Sequence, residues 1–334
     1  MNKVTVLGGG SWGTTLANLL AEKNIPTNLW VRDKKNFILT ENKIINQKYL
    51  PNYKLSRNLN ILGNIEKALE DVDLLVFAVP SKNFRKICAK VSKLLKNHKI
   101  LITTKGIEND SFLTMSEVFL NETNYIKKNI MVLSGPNIAD EIMKKHVSAS
   151  VVAGENKTLL NQVSKLFNTE YFKIFISKDL KGVEMSGALK NLYAIFSGLS
   201  DGLGYESNTK AMLLTRSLSE MSDLYQKINA NPKTLLGLSG VGDLIATSSS
   251  QKSRNYSFGR YLGEGNTPQK ALKMINQSVE GYRTLKVVND NNKKLSLKMP
   301  IIEALYEIVY EKKDPKKCFL KFLRESDNID TPNE

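Results

Sequence analysis

A glycine-rich turn lies close to the start of this chain. Gly8-Gly9-Gly10-Ser11-Trp12-Gly13 follows the apolar run Val4-Thr5-Val6-Leu7 and opens a helical pattern. In that strand–turn–helix setting each glycine has a physical task. Gly8 allows a tight turn, Gly10 lets the backbone approach a pyrophosphate, and Gly13 permits close helix–sheet packing. The helix N-terminus then offers its unpaired N–H groups to the anion. The plain alternative is a glycine-rich turn that binds nothing.

The rest of the first half repeats the same theme of a short β-rich run, a turn and a helical pattern. Strands are predicted at 3–7, 27–32, 59–62, 74–79, 100–104 and 130–134, with helices at 14–23 and 82–96. Runs at 148–154 and 172–177, separated by a helical stretch, read as two further strands closing the sheet. Apolar strands alternating with helices argue for a parallel, doubly wound sheet. Past about residue 178 the strand signals stop. Helical periodicity takes over at 182–199, 209–227, 268–274, 284–292 and 300–310. The predicted fold class is α/β: an N-terminal Rossmann-like doubly wound sheet plus an all-α C-terminal domain. The expected domains are 1–178, binding dinucleotide, and 179–334, binding substrate and carrying the catalytic groups. The polar tail after Glu325 is expected to fray.

Bulk properties bound the function. A hydrophobic fraction of 41% and a charged fraction of 24% belong to an ordinary globular chain. Cys88 and Cys318 stand far apart without ligand-type neighbours, so no metal site or disulfide framework is expected and a reducing, cytoplasmic setting fits. No signal peptide and no membrane-spanning run is read from the sequence. The net charge of +15 comes from lysines scattered among asparagines, without a basic stripe interleaved with aromatics. A nucleic-acid partner is therefore not expected, and attraction of small anionic substrates is the better use of the charge.

Several candidates lie where parallel strands should end. Arg32 and Asp33 follow the second strand, at the position that reads the ribose. An acid there suits the 2′-hydroxyl of NAD and an arginine the 2′-phosphate of NADP, so the choice stays open. Either could equally be a solvated turn charge. Lys105 follows Leu101-Ile102-Thr103-Thr104 and precedes Gly106, as an edge ligand or a surface lysine. Ser134-Gly135-Pro136-Asn137 leads into a helix whose N–H groups could hold an oxyanion or phosphate.

In the second half, Gly187, Asn191, Ala194 and Gly198 form one row of a predicted helix, and Leu189, Leu192, Phe196 and Leu199 form another. The small row admits another helix or a ligand, which makes Asn191 a candidate substrate contact. Lys190 sits beside that row in an apolar helix. Burial would lower its pKa toward the range useful for proton transfer, unless the side chain snorkels to solvent. Asp243 follows the cluster Gly237-Leu238-Ser239-Gly240-Val241-Gly242 and could hold a lysine ammonium. Ser253, Arg254 and Asn255 offer a hydroxyl, a guanidinium fork for phosphate and an amide. Ser278 and Glu280 complete the candidates. A bare turn, a surface arginine and an exposed glutamate are the respective alternatives.

Taken in order, these motifs resemble those of the soluble NAD(P)-dependent glycerol-3-phosphate dehydrogenases, especially the bacterial type. The resemblance runs from Val4 to about Thr284. It is carried by Gly8-Gly-Gly-Ser-Trp-Gly-Thr14, Thr104-Lys-Gly-Ile-Glu108, Gly187-Ala-Leu-Lys-Asn191, Asp201-Gly-Leu-Gly204, Asn208-Thr-Lys-Ala211, Thr215-Arg216, Gly240-Val-Gly-Asp-Leu-Ile245 and Ser253-Arg-Asn255. The resemblance implies reversible reduction of dihydroxyacetone phosphate to sn-glycerol 3-phosphate, with NAD or NADP as cofactor, supplying phospholipid synthesis. It also implies a homodimer. Lys190 matches the family's catalytic lysine, and Lys105 a lysine contacting both substrate and cofactor. Asp243, Ser253, Arg254 and Asn255 match the remaining substrate shell, and Gly135 and Asn137 match first-domain positions that approach substrate. Ser11, Trp12, Arg32, Ala139, Arg254, Ser278 and Glu280 match cofactor contacts. The chain departs from the pattern at Asn137, where the family often has serine or threonine, and at Ile138, where it often has an aromatic residue.

Overall fold

The structure, a computed structural model, describes residues 1–41, 43–109 and 111–325. The tail expected to fray lies outside the described residues. Contacts divide the chain into two compact units: Met1–Thr104 with Met115–Leu180, and Lys105–Thr114 with Lys181 onward. The short segment Lys105–Thr114 thus counts with the helical unit, where Ile107 is part of the apolar core.

In the first unit the elements run β1 (Val4–Leu7), α1 (Ser11–Glu22), β2 (Thr27–Trp30), β3 (Phe37–Thr40), β4 (Lys43–Asn46), β5 (Leu59–Leu62), α2 (Ile65–Leu69), β6 (Leu74–Phe77), α3 (Ser81–Ser92), β7 (Lys99–Ile102), α4 (Met115–Thr123), β8 (Ile130–Ser134), α5 (Ala139–Met143), β9 (Ser148–Gly154), α6 (Lys157–Phe167) and β10 (Phe172–Ser177). The eight-stranded sheet has the order β10-β9-β8-β7-β6-β1-β2-β5. From β1 the chain winds outward to β5, then reverses through β6, β7 and β8, which is the doubly wound Rossmann arrangement. β1 and β6 are buried along their whole length, as parallel strands covered on both faces must be. The reversal point lies between them, so the turns after β1 and β6 open at one sheet edge.

Two features depart from the sequence expectation of an all-parallel sheet. β9 pairs antiparallel to β8, with Ser134 opposite Val151, and β10 then runs parallel to β9. The connection after β8 explains the reversal. β8 has five residues and spans about 16 Å. The five-residue α5 covers only about 7.5 Å, too little to carry the chain back to the far edge as a crossover helix does. The second feature is the antiparallel hairpin β3–β4, with Phe37 opposite Asn46, in a stretch the sequence pattern left unassigned.

The second unit is helical: α7 (Leu180–Gly202), α8 (Ser207–Lys227), α9 (Asp243–Ser249), α10 (Arg254–Gly263), α11 (Pro268–Ile275), α12 (Glu280–Leu295), α13 (Pro300–Val309) and α14 (Pro315–Glu325). α7 is buried almost all round from Gly182 to Ser200, so it forms the axis of this unit. Its bulky row joins the apolar core, where Phe196 stacks on Phe319 at 5.3 Å between ring centroids. Its small row meets α10 backbone to backbone. A methyl group added at Gly259 would fall 1.7 Å from the Ile195 carbonyl oxygen, and one at Gly198 would fall 2.0 Å from that of Tyr256. Such distances leave room for hydrogen alone, so the crossing requires glycine from both helices.

Among the described residues no helix is long and apolar enough to cross a membrane.

Candidate functional site

Gly8, Gly10 and Gly13 stand at the carboxyl end of β1, and the geometry separates their duties. Gly8 has φ +125°, a conformation that L side chains rarely adopt. A side chain at Gly13 would strike the Gly8 carbonyl oxygen at 2.0 Å, so α1 can start only if this position is bare. Gly10, by contrast, has φ −73° and open space where its side chain would be. No side chain caps α1, which leaves the first-turn amides of Ser11, Trp12 and Gly13 available to an anion. The Trp12 indole N–H has no partner either, while its ring lies edge-on to Phe172 at 6.4 Å. An uncapped helix start behind a glycine turn fits the pyrophosphate of a dinucleotide.

Arg32 and Asp33 are both exposed beyond β2. Asp33 Oδ1 accepts from Lys35 N at 2.9 Å and caps the turn that follows, so one of its carboxylate oxygens is already engaged. Gly135 follows β8 with φ +143°, where an added side chain would press within 2.9 Å of the Ser150 backbone. Asn137 donates from Nδ2 to Ser150 Oγ at 3.2 Å, and Ala139 opens α5. Ile138, the other position that departs from the family pattern, occupies the N-cap of α5 and makes no side-chain hydrogen bond there.

The helical unit gathers a second set. Lys190 on α7 is 7% exposed, and Asp243 at the start of α9 is 2% exposed. Lys190 Nζ donates to Asp243 Oδ1 at 2.5 Å and to Thr247 Oγ1 at 2.6 Å. Lys105 Nζ donates to the other carboxylate oxygen, Oδ2, at 2.7 Å. Each oxygen of one buried aspartate thus carries one lysine. Two ammonium groups against one carboxylate leave a net positive cluster, suited to an oxygen that gains negative charge. Burial lowers the Lys190 pKa to about 8, Asp243 opposes that shift, and Lys105 adds to it. The protonated amine has three N–H groups, of which Asp243 and Thr247 use two, leaving one for a substrate oxygen.

Around this cluster Asn191 Oδ1 accepts from Asn255 Nδ2 at 2.7 Å, and Asn255 Oδ1 accepts from the Gly281 amide at 3.0 Å. The two amides therefore lock α7, α10 and the first turn of α12 together. Ser253 Oγ caps α10 by accepting from Tyr256 N at 3.3 Å. Arg254 is exposed, with Nη1 3.4 Å from Ser278 Oγ, and Glu280 opens α12.

Sequence reasoning missed Thr247, although a signal was present. Thr247 lies four residues after Asp243 on α9, and that spacing places both side chains on one helical face. Its hydroxyl accepts from Lys190 and donates to Asp243 Oδ1 at 3.2 Å, closing a triangle with the ion pair. Ser150, which holds Asn137, and Asn46, on the unassigned hairpin, were missed as well.

A dinucleotide-type sheet joined in sequence to a helical unit with a buried lysine–aspartate cluster defines the class: a Rossmann-fold dehydrogenase in two parts. The comparisons narrow it. The family described as NAD-dependent glycerol-3-phosphate dehydrogenase matches through its N-terminus over residues 3–160 and its C-terminus over residues 179–320. The chain belongs to that family. Among its relatives, "Glycerol-3-phosphate dehydrogenase [NAD(P)+]" of Carboxydothermus hydrogenoformans is 43% identical, over 94% of each chain. The Psychrobacter cryohalolentis protein of the same name is also 43% identical, over 93% of this chain and 72% of its own. The crystal structure of glycerol-3-phosphate dehydrogenase from Coxiella burnetii superposes with a TM-score of 0.92 at 32% identity, covering 97% of this chain and 99% of the other. A ternary structure of D-mandelate dehydrogenase, 14% identical with a TM-score of 0.60, shares the fold alone.

Proposed function

We propose that this chain is an NAD(P)-dependent glycerol-3-phosphate dehydrogenase, reducing dihydroxyacetone phosphate to sn-glycerol 3-phosphate and catalysing the reverse oxidation. The observation that carries this reading is the buried Lys190, paired with Asp243 and braced by Thr247. A reduced nicotinamide, when bound, supplies the hydride that reaches C2 of the ketone. Lys190 delivers its remaining proton to the C2 oxygen as that oxygen gains charge, and becomes the neutral amine. In the oxidation direction the neutral amine takes the hydroxyl proton back. Asp243 holds the Lys190 nitrogen in place, and Lys105 adds a second positive charge beside the same carboxylate. Arg254 and Asn255 are assigned to the phosphate, whose binding holds C2 in register for the transfer. Gly135, Asn137, Asn191 and Ser253 complete the substrate contacts. The dinucleotide is assigned to Gly8, Gly10, Ser11, Trp12, Gly13, Arg32, Asp33, Lys105, Ala139, Arg254, Ser278 and Glu280.

The same reading makes the chain a cytoplasmic homodimer that feeds glycerol phosphate into phospholipid synthesis. Sedimentation of the purified protein checks the dimer. The activity is tested by following reduced-nicotinamide absorbance with dihydroxyacetone phosphate and either NADH or NADPH. Substrate-dependent oxidation supports the assignment, and the ratio of the two rates decides what Arg32 and Asp33 select. Folded protein that oxidises neither cofactor overturns it.

A further inference from the structure

The hairpin β3–β4, which no sequence motif announced, ends on Asn46, a fully buried asparagine whose amide is used at both ends. Nδ2 donates to the Gly9 carbonyl oxygen at 2.9 Å and to Thr14 Oγ1 at 2.8 Å. Oδ1 accepts from Tyr49 N at 3.2 Å. A backbone amide is always a donor, so the Tyr49 contact fixes which end of the side chain is the carbonyl. Both Nδ2 protons therefore point into the glycine turn and the first turn of α1.

The consequence lies in the peptide between Gly9 and Gly10. No cis peptide bond occurs among the described residues. In a planar trans peptide the C=O of one residue and the N–H of the next point to opposite sides. Gly9 is packed from beneath: an added side chain there would lie 2.5 Å from Val31 Cγ1 and 3.3 Å from the Phe37 ring. Asn46 draws the Gly9 carbonyl toward that buried side. The Gly10 N–H is thereby turned to the opposite side, and around Gly10 the position of a side chain is open. With the peptide flipped, the Gly9 carbonyl would face the anion and repel it.

We propose that Asn46 is a positioning residue for the dinucleotide pyrophosphate, holding the Gly9–Gly10 peptide so that its N–H, not its C=O, meets the phosphate. The inference rests on the dinucleotide reading of the glycine turn. Its chemistry is local: the hairpin supplies from a distant part of the sequence the hydrogen bond that the glycine turn, having no side chains, cannot make for itself.

Asn46→Asp keeps the shape and the acceptor for Tyr49 N, but its carboxylate cannot donate to Gly9; Asn46→Ala removes both functions. Tryptophan quenching, reported by Trp12 and Trp30, measures binding of NADH and NADPH. Each variant is expected to bind its preferred cofactor about tenfold more weakly at pH 8, the scale of one net hydrogen bond. At saturating cofactor the KM for dihydroxyacetone phosphate stays within about twofold of wild type. Full burial pushes the introduced carboxyl above its ordinary range. Affinity in Asn46→Asp is therefore expected to recover as the pH is lowered from 8 to 6 and the protonated acid regains a donor, whereas Asn46→Ala shows no recovery. A dissociation constant near that of wild type in folded Asn46→Asp overturns the proposal. So does a parallel rise of both KM values with no recovery at pH 6, the mark of a merely structural residue. If Asn46→Ala does not fold, Asn46→Asp carries the test. Wild-type protein that binds neither cofactor removes the underlying reading and the proposal together.

Discussion

Glycines constrict both units, and they do so for different reasons. In the first unit Gly8, Gly10 and Gly13 lie within six residues on one turn, and Gly10 faces open space. In the second, Gly198 and Gly202 of α7 meet Gly259 and Gly263 of α10, each pointing at a carbonyl of the opposite helix, with no open space left. Gly8 and Gly13 let the turn and helix α1 close on themselves, and Gly10 leaves room for a ligand; the second set brings two helices into backbone contact. That contact in turn places Asn191 beside Asn255. A glycine that serves a ligand should therefore tolerate an added methyl in the empty protein and fail on binding. A glycine that serves packing should fail on folding.

The largest expected effect isolates the chemistry of the helical unit from the glycine turn. Lys190→Ala should lower turnover by about a thousandfold or more, since it removes both the proton donor and the countercharge to Asp243. Cofactor affinity, measured by tryptophan quenching, should stay within a fewfold of wild type. Near-normal turnover would take the catalytic role away from Lys190.

Next in size is the helix crossing. Gly259→Ala places a methyl 1.7 Å from the Ile195 carbonyl oxygen, which forces α7 and α10 apart. A loss of about 3 kcal/mol or more is expected, in the range of severe overpacking. Denaturant titration followed by circular dichroism checks it, and an unchanged midpoint would show that the crossing adjusts freely.

Gly10→Ala sharpens the contrast from the other side. With φ −73° and open space, an alanine fits there at little cost, so the melting temperature should move by less than about 2 °C. Cofactor affinity should nevertheless fall about tenfold, because the methyl occupies the approach of the pyrophosphate. Unchanged affinity would mean that the turn does not face the dinucleotide.

The smallest effect concerns pH. Burial holds the Lys190 pKa near 8, below its ordinary value of 10.5. Ketone reduction needs the protonated amine, so its rate should be flat below pH 8 and fall above it. Alcohol oxidation needs the neutral amine and should rise toward pH 8 and then level off. Opposite limbs meeting near pH 8 are expected in single-turnover rates; parallel limbs would assign the proton transfer elsewhere.

The sheet was legible where strand and helix alternate in short apolar runs, because a strand buried on both faces must be apolar along its length. β1, β6 and β7 follow from that rule. The reversal at β9 did not, since direction depends on where the intervening chain emerges, and a 3.6-residue period carries no such information. Lys190 and Asp243 were legible as candidates because a lysine in an apolar helix and an acid after a glycine cluster are each locally out of place. Whether Lys190 snorkelled to solvent or stayed inside was settled by α9, which brings Asp243 and Thr247 to its nitrogen.

By itself the sequence determined most strands of the main sheet, the long helices, the glycine turn and most of the chemically able side chains, all of which depend on residues near one another in the chain. Tertiary structure alone decided the pairings. Lys105 and Lys190 share the two oxygens of Asp243. α7 and α10 touch through facing glycines, and Asn46 reaches back to Gly9. The physical reason is range. Backbone preference and amphipathic period act over a few residues, whereas a hydrogen bond or a steric fit between distant segments exists only once the chain has closed on itself.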